Sequence, residues 1–171
     1  FEKIIKAAEP EQVPRLRETS LFVIGLAINK YPKIIFDFKD VDSRISSIIN
    51  LIIPTLQISE EEQANLSYGN MTIFTRYADI VFNITNSMRN SMYCNHIHQF
   101  WDNFYQITST LFNIGIKSGH NNLINKSSEA LNSLILNSSI EDLNMLDWLF
   151  NYSLDMIPQS STVIMPDEIR F

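Results

Sequence analysis

The sequence predicts an all-α chain, helical nearly throughout. Three observations carry this expectation. Apolar residues recur at intervals of three and four, the repeat of one helix face. No stretch alternates cleanly between apolar and polar, as a half-buried strand would. The 171 residues include just 4 glycines and 6 prolines, few breaks for a chain of this length. Hydrophobic residues make up 45% of the total, enough for a substantial core.

The elements follow in order. A first helix is expected from about Arg15 to Tyr31, after "EPEQVP" and ahead of Pro32, because the residue before a proline leaves the helical region. A second is expected from about Ser43 to Gln57, with Asp42 or Ser43 as its cap. Pro54 falls inside it and should kink it or end it early. A third spans about Asn70 to Arg89. A fourth runs from about Asn95 to Ser118 and stops at Gly119, a suitable C-terminal cap. A fifth covers about Asn121 to Asn137. A sixth begins after "SSIE", where Ser138 and Glu141 have capping-box spacing, and ends before Pro158. Residues 159–171 read as a loop-like tail, so 1–171 is one all-α segment. Long helices joined by short connections pack antiparallel to their neighbours.

Charge and composition narrow the class. A net charge of -6 and a pI near 5.0 oppose nucleic-acid binding, which calls for a basic stripe. One cysteine cannot make an internal disulfide, which fits a reducing compartment, cytoplasm or nucleus. The longest apolar run, "LFVIGLAI", is far short of the ~20 residues a membrane span needs. The chain opens at Phe1 without an initiator Met, so it is expected to be part of a longer one. From Gln63 to Ser118 the charged residues are Arg76, Asp79, Arg89, Asp102 and Lys117. Two readings stand: a compositional bias toward Asn, or helices covered on both sides within a stack.

Two helices match when written in register. "LRETSLFVIGLA" (Leu16 to Ala27) and "LINKSSEALNSL" (Leu123 to Leu134) place Ser20 with Ser127 and Val23 with Ala130. Leu16 then falls with Leu123, and Ile24 with Leu131. Small side chains on one face let a partner helix approach, and large ones beside them fill the gap.

The first of these resembles the second helix of a HEAT repeat, with Leu16, Arg17, Ser20, Val23, Ile24, Gly25 and Ala27 on that family's pattern. "SSIINLIIPTLQ" resembles a HEAT first helix. The fifth helix departs at Ile124, where the family has Arg, and at Asn132, where it has Gly. The resemblance implies antiparallel helix pairs stacked as an α-solenoid segment within a longer solenoid. Among HEAT proteins, "RLRETSLFVIGLAINKYP" is most similar to the karyopherin-β nuclear transport receptors. It implies protein partners, cargo or complex subunits. The alternative architecture is a closed helical bundle of Bcl-2-like type, with "SLFVIGLAINKY" as a central helix buried on all sides and a groove for an amphipathic partner helix.

Chemical motifs are sparse. Cys94, His96 and His98 lie close together in "YCNHIHQFW", and Cys94 and His98 share a helix face. A structural zinc site wants four ligands in two sets, and no second set follows; His120 is far along the chain. Cys94 therefore reads as a small buried hydrophobe. No phosphate loop, nucleophile elbow or zincin motif is present, so neither catalysis nor a metal or cofactor is expected. The aromatic set Phe100, Trp101, Phe104, Tyr105, Trp148, Phe150 and Tyr152 reads mainly as core. The run "SEEEQ", Ser59 to Gln63, reads as the N-terminal end of a short helix whose dipole the carboxylates offset. The candidate partner-binding residues are this acidic run, Glu60, Glu61 and Glu62, as a ridge for a basic partner, and Trp148 beside Asp147.

Overall fold

The computed structural model describes residues 1–36, 39–87 and 99–137. Among these residues every regular element is helical. The long helices are α2 (Pro14–Lys30), α4 (Val41–Ile52), α6 (Tyr68–Asn86), α7 (Trp101–Ser118) and α8 (Asn121–Asn137). Short ones fill the connections: α1 (Glu2–Ala7), α3 (Lys33–Phe36) and α5 (Glu60–Ala64).

Local chemistry sets the ends. Pro14 opens α2, where a missing N–H costs nothing, and Tyr31 closes it ahead of Pro32. Pro54 ends α4 early: the chain tightens into a 3₁₀ turn over Ile53–Leu56. The caps differ slightly from expectation. Asp40, two residues upstream of Asp42, precedes α4, and Ser67 caps α6 by accepting from the Asn70 N–H at 3.3 Å. Helix α7 begins at Trp101, after a turn at Gln99 and Phe100. Its end is a Schellman closure, with Gly119 at φ 66°. The Gly119 N–H donates to the Ile116 carbonyl at 3.2 Å and the His120 N–H to the Gly115 carbonyl at 2.9 Å. The expected sixth helix and the tail of residues 159–171 lie outside the described residues.

Helix α6 lies between α2 and α8, and α7 packs against α8 and α6. Helix α4 touches α1 and α7, and the 3₁₀ turn and α5 also meet α7. The helices thus form two rows: α2, α6, α8 and α1, α4, α7. The core fills from both. Ile45, Ile48 and Ile52 of α4, Tyr77, Ile80, Val81 and Ile84 of α6, and Phe104, Ile107, Leu111 and Ile114 of α7 are all at 0% exposure.

Two helical glycines play different parts. A Cβ on Gly115 would stand 2.9 Å from Ile124 Cγ1 and 3.1 Å from the Ile124 backbone nitrogen. Helices α7 and α8 approach this closely because that position has no side chain. A Cβ on Gly25 would meet Ile80 at 3.5 Å and Asn83 at 3.8 Å, both ordinary contacts. Gly115→Ala is therefore expected to destabilise the chain by about 1–3 kcal/mol through overpacking. Gly25→Ala should be neutral or stabilising by up to about 1 kcal/mol, the helix-propensity gain. Denaturant unfolding of the two variants checks this, and the opposite order would refute the packing account.

Candidate protein-binding surface

The acidic run builds a helix start. Ser59 caps α5, its hydroxyl accepting from the Glu62 N–H at 3.3 Å. The Glu62 carboxylate accepts in return from the Ser59 N–H and hydroxyl, each at 2.8 Å. Those two bonds, the backbone one foremost, hold the Glu62 carboxyl below the usual glutamate range. Glu60 reaches Lys117 of α7 at 2.8 Å, and that hydrogen bond, with the lysine charge behind it, lowers its carboxyl too. Glu61 is exposed, and no partner holds its carboxylate among the described residues. Two of the three candidate carboxylates are thus engaged within the fold.

Trp148 and Asp147 lie outside the described residues, as do Cys94, His96 and His98. The third histidine acts as a cap: His120 Nδ1 accepts from the Leu123 N–H at 3.2 Å at the start of α8. Trp101, Phe104 and Tyr105 are buried, with the Trp101 and Tyr105 rings stacked at 5.4 Å. Among the described residues no group of three His, Cys, Asp or Glu gathers as metal ligands, and no helix is long and apolar enough to cross a membrane.

The feature that sequence reasoning missed is on α2. One face of this helix, Ser20, Leu21, Ile24, Gly25 and Ile28, is buried. The opposite face is apolar as well, and bare. Leu16 is 46% exposed, Phe22 46%, Val23 40% and Leu26 44%. Leu16, Thr19, Val23 and Leu26 recur at three, four and three, the spacing of a coiled-coil seam. The matching residues of α8 show what such a seam does when covered: Leu123, Ala130 and Ser133 are buried where α6 and α7 pack on that helix. Beside the seam, α1 and α2 enclose an apolar pocket of about 300 Å³ lined by Phe1, Ile4, Val23, Ile24, Ala27 and Ile28, with Lys3 at its rim.

On its other flank α2 meets α6 through a polar brace. Arg76 pairs with Glu18 of α2 at 3.7 Å and with Asp79 at 3.6 Å, and its guanidinium lies 4.9 Å from the Phe22 ring centre. Asp79 also faces Lys126 of α8 at 3.6 Å, and Lys126 pairs with Glu129 at 2.8 Å. The Glu129 hydrogen bond, aided by the Asp79 charge, raises the Lys126 pKa against partial desolvation. Arg17 donates to the Tyr77 hydroxyl, and Asn83 Nδ2 to the Gly25 carbonyl at 3.1 Å.

No protein-family model, curated protein or solved structure matches the chain.

These shifts carry signs that can be checked. A depressed carboxyl adds stability above its unfolded pKa, and loses it as pH falls through the lower folded value. Ser59→Ala keeps the backbone bond and removes the hydroxyl one, so it should move Glu62 only part of the way back toward the ordinary glutamate range in a carbon-detected NMR titration; an unmoved Glu62 would disprove the part given to the hydroxyl. A raised lysine acts oppositely: its contribution is complete below the unfolded lysine pKa and fades as pH rises through the higher folded value. Asp79→Asn should thus lower the melting temperature at neutral pH, by an amount that shrinks with added salt and, as Lys126 loses its proton in alkali, falls to the share of Arg76, which stays charged.

Proposed function

We propose that the chain is a non-enzymatic protein-binding scaffold, a run of stacked antiparallel helix pairs of HEAT type. The observation that carries the reading is the bare apolar seam of α2. A helix apolar on all faces is ordinarily enclosed, and contiguous exposed apolar surface marks interaction sites. In this reading α4 and α7 would be the first helices of two pairs and α6 and α8 their second helices; α7 packs on α8, whereas α4 meets chiefly α1, α3 and α7. Second helices of successive pairs are then neighbours, as α2, α6 and α8 are. Helix α2 is a further second helix, and α1, six residues long, stands where its first helix would be. A closed bundle with α2 as its central helix would need α2 enclosed all round, and its exposed seam counts against that form. The resemblance of α2 to karyopherin-β helices makes carriage of protein cargo between nucleus and cytoplasm the specific form of this proposal.

Panning a displayed library of helical peptides against the whole chain tests the reading. The expected result is a set of binders that compete for one site, slow amide exchange across residues 14–30, and are lost in Val23→Glu at unchanged melting temperature. Binders that map to another surface, or none at all, would sink it.

A further inference from the structure

We infer that the α2 seam takes an amphipathic helix from another protein, one whose apolar stripe is flanked by carboxylates toward both ends. The inference rests on the reading above, that this face is a binding surface, and adds the chemistry of what binds. The first argument is the shape of the site. Leu16, Thr19, Val23 and Leu26 form a straight 3-4-3 row, the pattern that receives a second helix rather than an extended strand. Three of the four equivalent residues of α8, Leu123, Ala130 and Ser133, are buried on a helix that packs against α6 and α7; the fourth, Lys126, is half-buried and faces Asp79. The pocket of about 300 Å³ beside Val23 has room for one bulky apolar anchor.

Charge supplies the second argument. The exposed charged side chains of α2 are Arg15 at one end of the seam and Lys30 at the other, both cationic. Their positions are fifteen helical steps apart, about 22 Å along the axis. Neither has an anionic partner among the described residues. Glu18, the helix's one anion, turns away from the seam to Arg76 at 3.7 Å. Lys3 adds a third cation at the mouth of the pocket. The chain as a whole carries a net charge of -6, so this positive frame runs against its global sign. An acidic helix of about four turns complements Arg15 and Lys30, with Glu9 and Glu11 of the preceding turn the anions nearest in sequence ahead of the Arg15 end.

Two labelled synthetic helices of equal length and identical apolar stripe test the inference on the whole chain, one with Glu in its terminal turns and one with Lys there. Fluorescence anisotropy should show the Glu peptide binding tighter by about tenfold or more at low salt, with the gap closing as salt is added. Arg15→Glu with Lys30→Glu should invert the preference, and Val23→Glu should abolish binding of both peptides, with thermal melts showing each variant folded. Equal or stronger binding of the Lys peptide, still lost in Val23→Glu, overturns the acidic chemistry and leaves the binding surface standing. Failure of both peptides overturns the surface as well. A dimer in sedimentation that Val23→Glu returns to monomer puts a second copy on the seam and overturns the partner helix.

Discussion

The enclosure of α6 is the constraint on which the rest of the structure depends. Met71, Ile73, Phe74, Tyr77, Ala78, Ile80, Val81 and Ile84 are all buried, covering more than half of the helix circumference. Each large apolar side chain so buried contributes about 1.5–3 kcal/mol before conformational entropy is set against it. Such a helix can carry polar atoms inward only if they are bonded. Thr75 donates to the Met71 carbonyl at 2.8 Å, and Thr85 lies 3.1 Å from the Ser133 hydroxyl of α8. The hydroxyls therefore tie α6 into the core without leaving a desolvated group.

The remaining strip of α6, Arg76, Asp79 and Asn83, is spaced at three and four and so falls on one side. It meets α2 through Glu18 and the Gly25 carbonyl, and α8 through Lys126. Half-exposed ion pairs of this kind contribute little each. Their effect is positional, because a charge placed elsewhere along the strip would face no partner. Sparse charge in the middle of the chain thus has a structural use. Of the five charges between Gln63 and Ser118, Arg76, Asp79 and Lys117 bridge helices.

Much of this was legible in the sequence, and the limit has a physical reason. Helix α8 occupies the residues expected of it, and α2 lies within one residue of its expected ends, because apolar period, Pro14, Pro32 and Gly119 all agree. Pro54 ended α4 as one of its two expected outcomes. The short helices α1 and α3 went unread, since one or two turns give too little periodicity to detect. The run "SEEEQ" stands where it was expected, at the N-terminal end of a short helix; the capping box between Ser59 and Glu62 is what the structure adds. The register match of α2 with α8 was correct for Ser20 and Ser127, which are both buried. It did not foresee that Val23 is bare while Ala130 is covered. A pattern of small and large residues states which face can receive a helix. Whether a helix is there is a property of the neighbours.

That difference bears on why the seam is apolar at all. Helix α2 is already anchored by Ser20, Leu21, Ile24, Gly25 and Ile28, and braced by Arg17 and Glu18 against α6. Phe22 also meets the Arg76 guanidinium, and Val23 the pocket beside α1. Polar residues at Leu16 and Leu26 would leave each of those contacts in place and would hydrate the outer face. Folding of the described helices therefore does not require apolar side chains there, and solubility disfavours them. A fold supplies its own reason for a buried leucine. For Leu16, Val23 and Leu26, three apolar residues along one exposed helix face with Arg15 and Lys30 at its ends, the reason lies in what comes to rest on them.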